Sequence, residues 1–583
     1  MVRILRVALD QMNPVVGALQ GNADRIISGI RQAEDLGADV VAFPELAITG
    51  YPPEDLVLKP NFIAENRCQL ERIAASVGDM TAIVGFVDTD GQDIYNAAAL
   101  MQQGKIVGVH RKFFLPNYSV FDEQRYFKAG SEWAVYTVRG VRIGITICED
   151  IWYPVGPATL QAMAGAEVII NINGSPFRAG KHAQRERMIA TRALDELCYV
   201  CYLNMVGGQD ELVFEGGSFI CDQDGDRMAQ ARTFEEDMLV ADLDVEAVFS
   251  ARLHDTRRRQ GALLPDDFWH RRGQQLETPL AAPAEPQRNP LPKRCEEVPR
   301  GPAEMYGALV LGTRDYVQKT GAGKVVIALS GGIDSSLVAA IAVDALGAEN
   351  VTGVSMPSRY SSEGSRSDAG ELAHNLGIPC LSIPIEDVFG GYLHTLEGAF
   401  QGREPDVTEE NLQARIRGNL VMALTNKFGG IVLTTGNKSE MAVGYSTLYG
   451  DLAGGFAVIK DVFKTDVYRL ARWRNEQAGQ PLIPEAVLVK PPSAELRPGQ
   501  LDQQSLPPYD ILDGILKMYV EDDRSIEDIV AHGFDQATVV RVINMVDRAE
   551  YKRRQAPPGV KISALAFGKD RRLPIVNGYR VRV

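Results

Sequence analysis

Residues 323–347 read GKVVIALSGGIDSSLVAAIAVDALG. Five apolar residues, Val325 to Leu329, precede Ser330, and a helix-like apolar pattern follows Ser335. The pattern predicts a buried strand, a glycine turn and a helix, with the turn at the carboxyl end of the strand, where open α/β sheets bind ligands. Gly331 and Gly332 let backbone N–H groups approach an anion, and the helix N-terminus adds a favourable partial charge. Ser330, Ser335 and Ser336 supply hydroxyl donors. The lysine of the common Gly-x-x-x-x-Gly-Lys-Ser/Thr phosphate loop is missing, and Asp334 stands inside the turn. A carboxylate does not attract phosphate, so Asp334 reads as a Mg²⁺ ligand, the metal bridging carboxylate and phosphate.

Similar alternation surrounds this stretch. After it come NVTGVSMPS, IPCLSIPI and GIVLTTGN, each separated by helical pattern. This predicts a doubly wound parallel sheet. Before it, ILRVALDQ, ADVVAFPEL, TAIVGFV, VRIGITICED, AEVIININGS and CYVCYLNMV alternate with amphipathic stretches such as NADRIISGIRQAEDLG. That is a first α/β layered domain. Between the two lies ETPLAAPAEPQRNPLPKRCEEVPRGPAE, rich in proline and alanine, the best linker candidate. The expected division is 1–275, a linker over 276–300, and 301–583.

Composition agrees. A chain of 583 residues is too long for one core. A net charge of -15 argues against a nucleic-acid partner. The N-terminal run MVRILRVALDQMNP breaks at Asp10 and Pro14, so neither a signal peptide nor a membrane span is expected. Seven cysteines with no metal-type spacing to histidine suit a reduced, cytoplasmic setting.

Three stretches of the first half each put a polar residue at or near the end of an apolar run: Glu45 in VVAFPELAITGYPP, Lys112 in VHRKFFLPNYSVFDEQRYF and Cys148 in GITICEDIWYP. A cysteine ending an apolar strand is commonly a small core residue. Glu149 and Asp150 follow Cys148 directly and disfavour its thiolate, so a reactive Cys148 needs an activator. Either the fold brings His110 or His182 to it, or Glu45 takes the thiol proton while Lys112 holds that glutamate charged and stabilises an oxyanion.

The Glu-Lys-Cys order resembles the nitrilase superfamily of carbon–nitrogen hydrolases, and Glu123 in FDEQRYF looks like the second glutamate beside their lysine. SGGIDSS resembles the pyrophosphate loop of the N-type ATP pyrophosphatases, which split ATP between the α and β phosphates. Together the halves resemble the glutamine-dependent NAD⁺ synthetases over essentially the whole chain. The resemblance implies a nitrilase-like αββα sandwich followed by an adenine nucleotide alpha hydrolase-like domain. It implies that Cys148 releases ammonia from L-glutamine and that an internal tunnel carries the ammonia. The second domain would adenylate deamido-NAD⁺ with ATP and Mg²⁺, giving NAD⁺, AMP and pyrophosphate. It also implies a homo-oligomer with paired synthetase domains.

By the same resemblance, Tyr118, Ser175 and Lys181 hold glutamine. Leu329, Ser330, Gly331, Gly332, Ile333, Asp334, Ser335, Ser336, Thr435 and Lys464 hold ATP. Lys464 would restore the charge missing from the loop; as a surface lysine it would instead only snorkel. Asn411, Arg415, Glu440 and Lys552 are assigned to deamido-NAD⁺, and Asp334 with Glu440 to the metal. Arg415 and Arg417 are two apart and so do not share a helix face. Lys490 lies in KPPSAELRPGQ, which looks like a loop over the site. Two other readings compete: a different glutamine-dependent ATP pyrophosphatase amidotransferase, and a non-catalytic nucleotide-sensing protein.

Overall fold

A computed structural model describes residues 3–256, 273–280 and 291–579. The chain divides into two compact units, one of residues 1–209 and 214–299, the other of residues 210–213 and 300–583. Of the expected linker, residues 281–290 lie outside the described residues; Leu276 and Glu277 finish a strand of the first unit. Among the described residues, no helix is long and apolar enough to cross a membrane.

In the first unit the described residues form two mixed sheets, of six and seven strands. The side-chain period of two explains how they stack. In strand Ile4–Gln11, Leu5, Val7 and Leu9 point into a core shared with Ile143, Ile145 and Ile147 of strand Val141–Ile147 and Val168, Ile170 and Ile172 of strand Val168–Asn173. Ala8 faces the other way, into a cluster with Ile26 and Ile30 of helix Leu19–Asp35 and Ile73 of helix Pro60–Ser76. The outer face of the seven-stranded sheet does the same: Ile169 packs with Ala158 and Ile189 of helices Pro157–Met163 and Lys181–Glu196. The result is a four-layer αββα sandwich.

In the second unit the described strands form one parallel sheet, ordered Cys380–Ser382, Val351–Ser355, Val325–Ala328, Ile431–Thr434, Phe456–Ala457. The first strand in the chain is central. Its successor lies on one side, and the next half of the sheet is built on the other. The order therefore reverses at Val325–Ala328, and the crevice at its carboxyl end is where the turn at Ser330 falls. Val326, Val354 and Val432 bury one face against Phe389, Leu412 and Ile416. Val325 and Ile327, on the opposite face by alternation, are equally enclosed. A C-terminal helical cluster gathers Leu512, Leu516, Val539 and Ile543.

The first unit depends on its inter-sheet layer. Ile170→Ala, at a fully buried position, should cost about 2–5 kcal/mol. Chemical denaturation with circular dichroism checks this, and a loss below about 0.5 kcal/mol would place Ile170 outside the packed layer.

Candidate active sites

Two clusters of polar groups are built, one in each unit. In the first, three strand ends deliver the expected residues. Glu45 follows Val40–Ala42, Lys112 follows Lys105–Arg111, and Cys148 follows Val141–Ile147. Gly85 lets the neighbouring strand run close beneath Glu45: a Cβ there would come within 2.3 Å of the Pro44 carbonyl oxygen. Cys148 opens a short 3₁₀ turn with a left-handed φ of 44°. A non-glycine residue there costs on the order of 1–3 kcal/mol, a strain that concentrates at functional positions.

Lys112 is buried, and its Nζ donates to Glu45 Oε1 at 2.7 Å and to Glu123 Oε1 and Oε2 at 2.8 and 2.9 Å. Burial alone would lower the lysine, but the two carboxylates outweigh it and hold it well above its ordinary value. Burial pushes Glu123 up to about 7, against the pull of Lys112. Glu45 is further oriented by Asn96 Nδ2 at 2.7 Å and by the Gly174 N–H at 2.7 Å, and Tyr51 donates to Glu123 at 2.9 Å. Burial raises the Cys148 thiol well above its ordinary value, and Glu45 adds to this while Lys112 opposes it. The resting group is thus a thiol, and its proton must leave as it attacks.

The Cys–His alternative does not describe His110, whose Nε2 lies 3.2 Å from Asp150 Oδ2. The largest charge effects on Cys148 come from Glu45, Lys112, Glu149 and Glu123.

Around the cysteine, the Tyr118 hydroxyl donates to both oxygens of Glu149 at 3.1 and 3.0 Å. The Ser175 carbonyl and Oγ each accept from Arg185 Nη2 at 3.0 Å. Lys181 Nζ donates to the Pro176 carbonyl at 3.2 Å, and burial, with Arg185 adding, lowers it to about 7. Sequence reasoning missed Arg185 and its buried partner Glu215. A usable signal existed for the arginine: it lies one helical turn beyond Lys181, on the same face.

In the second unit a cleft of about 460 Å³ opens at the sheet's reversal point. Leu329, Ser330, Asp334, Ser335, Thr435, Asn411, Glu440 and Lys552 all border it. Gly331 has a φ of 75°, and a Cβ on it would lie 2.3 Å from the Ser365 carbonyl oxygen. Ser335 Oγ and Ser336 Oγ both donate to the Gly332 carbonyl, at 3.0 and 2.8 Å. Ser336 and Ile333 are buried in the start of the helix and shape the turn.

Lys464 is buried, not a surface lysine. Its Nζ is paired with Asp334 and lies 3.5 Å from Glu440. Burial lowers this lysine, but the Asp334 and Glu440 charges override it and raise it overall. Burial drives Glu440 up to about 8, with Lys464 opposing and Asp334 adding. Asp502, which accepts from Tyr509 at 2.9 Å, is a third acid here that sequence reasoning passed over.

Of the two arginines, Arg417 borders the cleft and donates to the Met356 carbonyl at 3.1 Å, whereas Arg415 is exposed and reaches the Leu448 carbonyl at 3.2 Å. Lys552 is held by the Gly444 and Ser446 carbonyls, each at 2.7 Å. The 490–500 segment meets the glycine turn's neighbours: Lys490 pairs with Ser365, and Glu495 accepts from Ser362 and Ser365.

Comparison with known proteins finds a family match in each half of the chain. The carbon-nitrogen hydrolase family matches residues 6–253 and the NAD synthase family residues 305–556. The glutamine-dependent NAD(+) synthetase of Thermotoga maritima is 52% identical over 99% of this chain and 99% of its own, and that of Aquifex aeolicus is 47% identical over 99% and 100%. The solved glutamine-dependent NAD⁺ synthetase of Acinetobacter baumannii, in complex with adenosine diphosphate, superposes with a TM-score of 0.73 at 40% identity, covering 100% of both chains.

Gly331→Ala should weaken nucleotide binding at the cleft by about tenfold or more, because the added methyl group meets backbone rather than a movable side chain. Titration calorimetry with a non-hydrolysable ATP analogue reads this. Unchanged affinity would remove the turn from the nucleotide site.

Proposed function

Because the chain belongs to the glutamine-dependent NAD(+) synthetases, we propose that each of its two polar clusters carries one half of that reaction. The protein is a ligase that makes NAD⁺ with ATP and nitrogen from glutamine. The single observation that carries the division of labour is the Glu45–Lys112–Cys148 set in one unit and the glycine turn at the sheet reversal in the other.

In the first unit Glu45 accepts the Cys148 proton as the sulfur attacks the glutamine amide carbon. The buried Lys112 ammonium faces the oxyanion of the tetrahedral intermediate. Ammonia leaves, and water hydrolyses the thioester to glutamate. Tyr118, Ser175 and Lys181 are assigned to glutamine; the Cys148 charge reaches Tyr118 and Lys181. Arg185 holds Ser175 in place.

In the second unit, the turn from Leu329 to Ser336, with Thr435, is assigned to ATP, and Asn411, Lys552 and the cleft-lining Arg417 to deamido-NAD⁺. Arg415, exposed beside this region, stays with the latter assignment. Among the described residues no group of three or more His, Cys, Asp or Glu forms a cation cage. Mg²⁺ seldom requires one, since it binds through one or two carboxylates and substrate phosphates. Asp334 and Glu440, two carboxylates already drawn to one buried ammonium, fit that mode. When bound there, Mg²⁺ would neutralise phosphate charge as pyrophosphate departs. Lys464 supplies a cation beside the loop that lacks its own. We assign residues 1–275 to the glutaminase and 301–583 to the synthetase, joined over 276–300. All seven cysteines are free, which supports a cytoplasmic setting. By resemblance to the family, we assign the synthetase domains to pair in a homo-oligomer.

Purified protein given deamido-NAD⁺, ATP, Mg²⁺ and amide-¹⁵N glutamine should yield labelled NAD⁺, AMP and pyrophosphate by mass spectrometry; glutamate without NAD⁺ would point to another acceptor. Cys148→Ala should abolish synthesis from glutamine yet keep synthesis from ammonia, and equal loss with both nitrogen sources would refute separate sites. Asp334→Ala should lose synthesis with either source by on the order of 10²-fold or more. Full activity would withdraw the metal assignment.

A further inference from the structure

The catalytic pair Lys112 and Cys148 sits on strands of different sheets, Lys105–Arg111 in the six-stranded one and Val141–Ile147 in the seven-stranded one. No backbone ladder joins these two strands, so their separation has to be set by side chains. One buried side chain spans the gap. Asp150 Oδ1 accepts the N–H groups of Phe113 and Phe114 at 2.9 and 3.0 Å, the two residues just after Lys112. Asp150 Oδ2 accepts the N–H of Ile147 at 3.1 Å, the residue just before Cys148, and lies 3.2 Å from His110 Nε2. Asp150 is fully enclosed, and four donors satisfy it.

We infer that Asp150 is a positioning residue: it clamps the Lys112 strand end to the Cys148 turn and so sets the distance between ammonium and sulfur. The clamp also acts on the strained turn. By holding the Ile147 N–H, Asp150 fixes the backbone immediately before the left-handed Cys148. His110 completes it. The buried Nδ1 has no partner, so the neutral ring with its proton on Nε2 accounts for the contact with Asp150. Its ring also stacks on Phe113, with centroids 5.8 Å apart. This inference rests on the reading of Lys112 and Cys148 as the reacting pair.

The test uses the full chain. In Asp150→Asn, the amide oxygen can still accept from Phe113 and Phe114. The amide nitrogen then faces the Ile147 N–H, a donor that cannot change role, and His110 can accept from it only by moving its proton to the partnerless Nδ1, so the clamp opens on the cysteine side. Glutaminase kcat should fall about 10²-fold, the scale of a misplacement near 1 Å, with KM little changed. Alkylation of Cys148 by iodoacetamide should slow in parallel, and synthesis from ammonia should stay at the wild-type rate. Wild-type kcat and alkylation in Asp150→Asn, or a loss confined to KM, would overturn the clamp. Cys148→Ala separates the two claims: glutaminase activity surviving in it would overturn the underlying pair and the clamp with it, while its loss beside a fully active Asp150→Asn sinks the clamp alone. If Asp150→Asn does not fold, His110→Gln and His110→Leu decide. The glutamine side chain can keep a donor at Asp150 and should preserve alkylation better than leucine. Equal rates in the two would overturn the inference.

Discussion

An ammonium group shut away from water is costly, and the first unit is organised around one. Removing an ion from water costs several kcal/mol even after relaxation. Lys112 recovers this only because Glu45 and Glu123 both lie within hydrogen-bond distance. The carboxylates are in turn tied down by Asn96, Tyr51 and the Gly174 N–H. Each of these anchors comes from a different loop or strand. The charge cluster therefore demands one register of strand Ile94–Gln102, because a slip of one residue would turn Asn96 away from Glu45. In return the sandwich supplies the dry surroundings in which a lysine can act on a developing oxyanion.

The second unit solves a related problem with opposite means. A glycine turn at the carboxyl end of a central strand offers backbone N–H groups, but its one acidic side chain has the wrong sign for phosphate. Lys464, far along the chain, lies against that acid from another helix. The Asp334–Lys464–Glu440 arrangement thus keeps charge near balance in a buried place, and an arriving nucleotide with its counter-cation can exchange one set of partners for another.

Much of both sites was readable in the sequence, for a physical reason. Apolar runs that stop at a polar residue mark strand ends, and strand ends are where these folds do chemistry; Glu45, Lys112, Cys148 and Ser330 all carry that mark. The two-residue spacing of Arg415 and Arg417 also meant what it said, since one borders the cleft and the other faces outward. Other parts were illegible. Asp150 and Asp502 look in sequence like ordinary acidic residues, and what distinguishes them is the set of donors that the fold brings from tens of residues away. Glu215 is recognisable only once Arg185 is seen beside it. Strand Ile94–Gln102, with Asn96 at its heart, was not singled out because its alanines resemble helix as much as strand. Lys464 could not be told from a surface lysine until its burial was known.

The parallel sheet of the second unit ends in strands of three and two residues, Cys380–Ser382 and Phe456–Ala457. Long, flat sheet borders invite other chains to add a strand and so seed aggregates. Borders this short present too few free backbone groups to serve as a template. The unit is thereby guarded against edge-to-edge growth, and any copy that docks on it must be recognised through helix and loop surfaces, where side chains rather than the backbone decide the match.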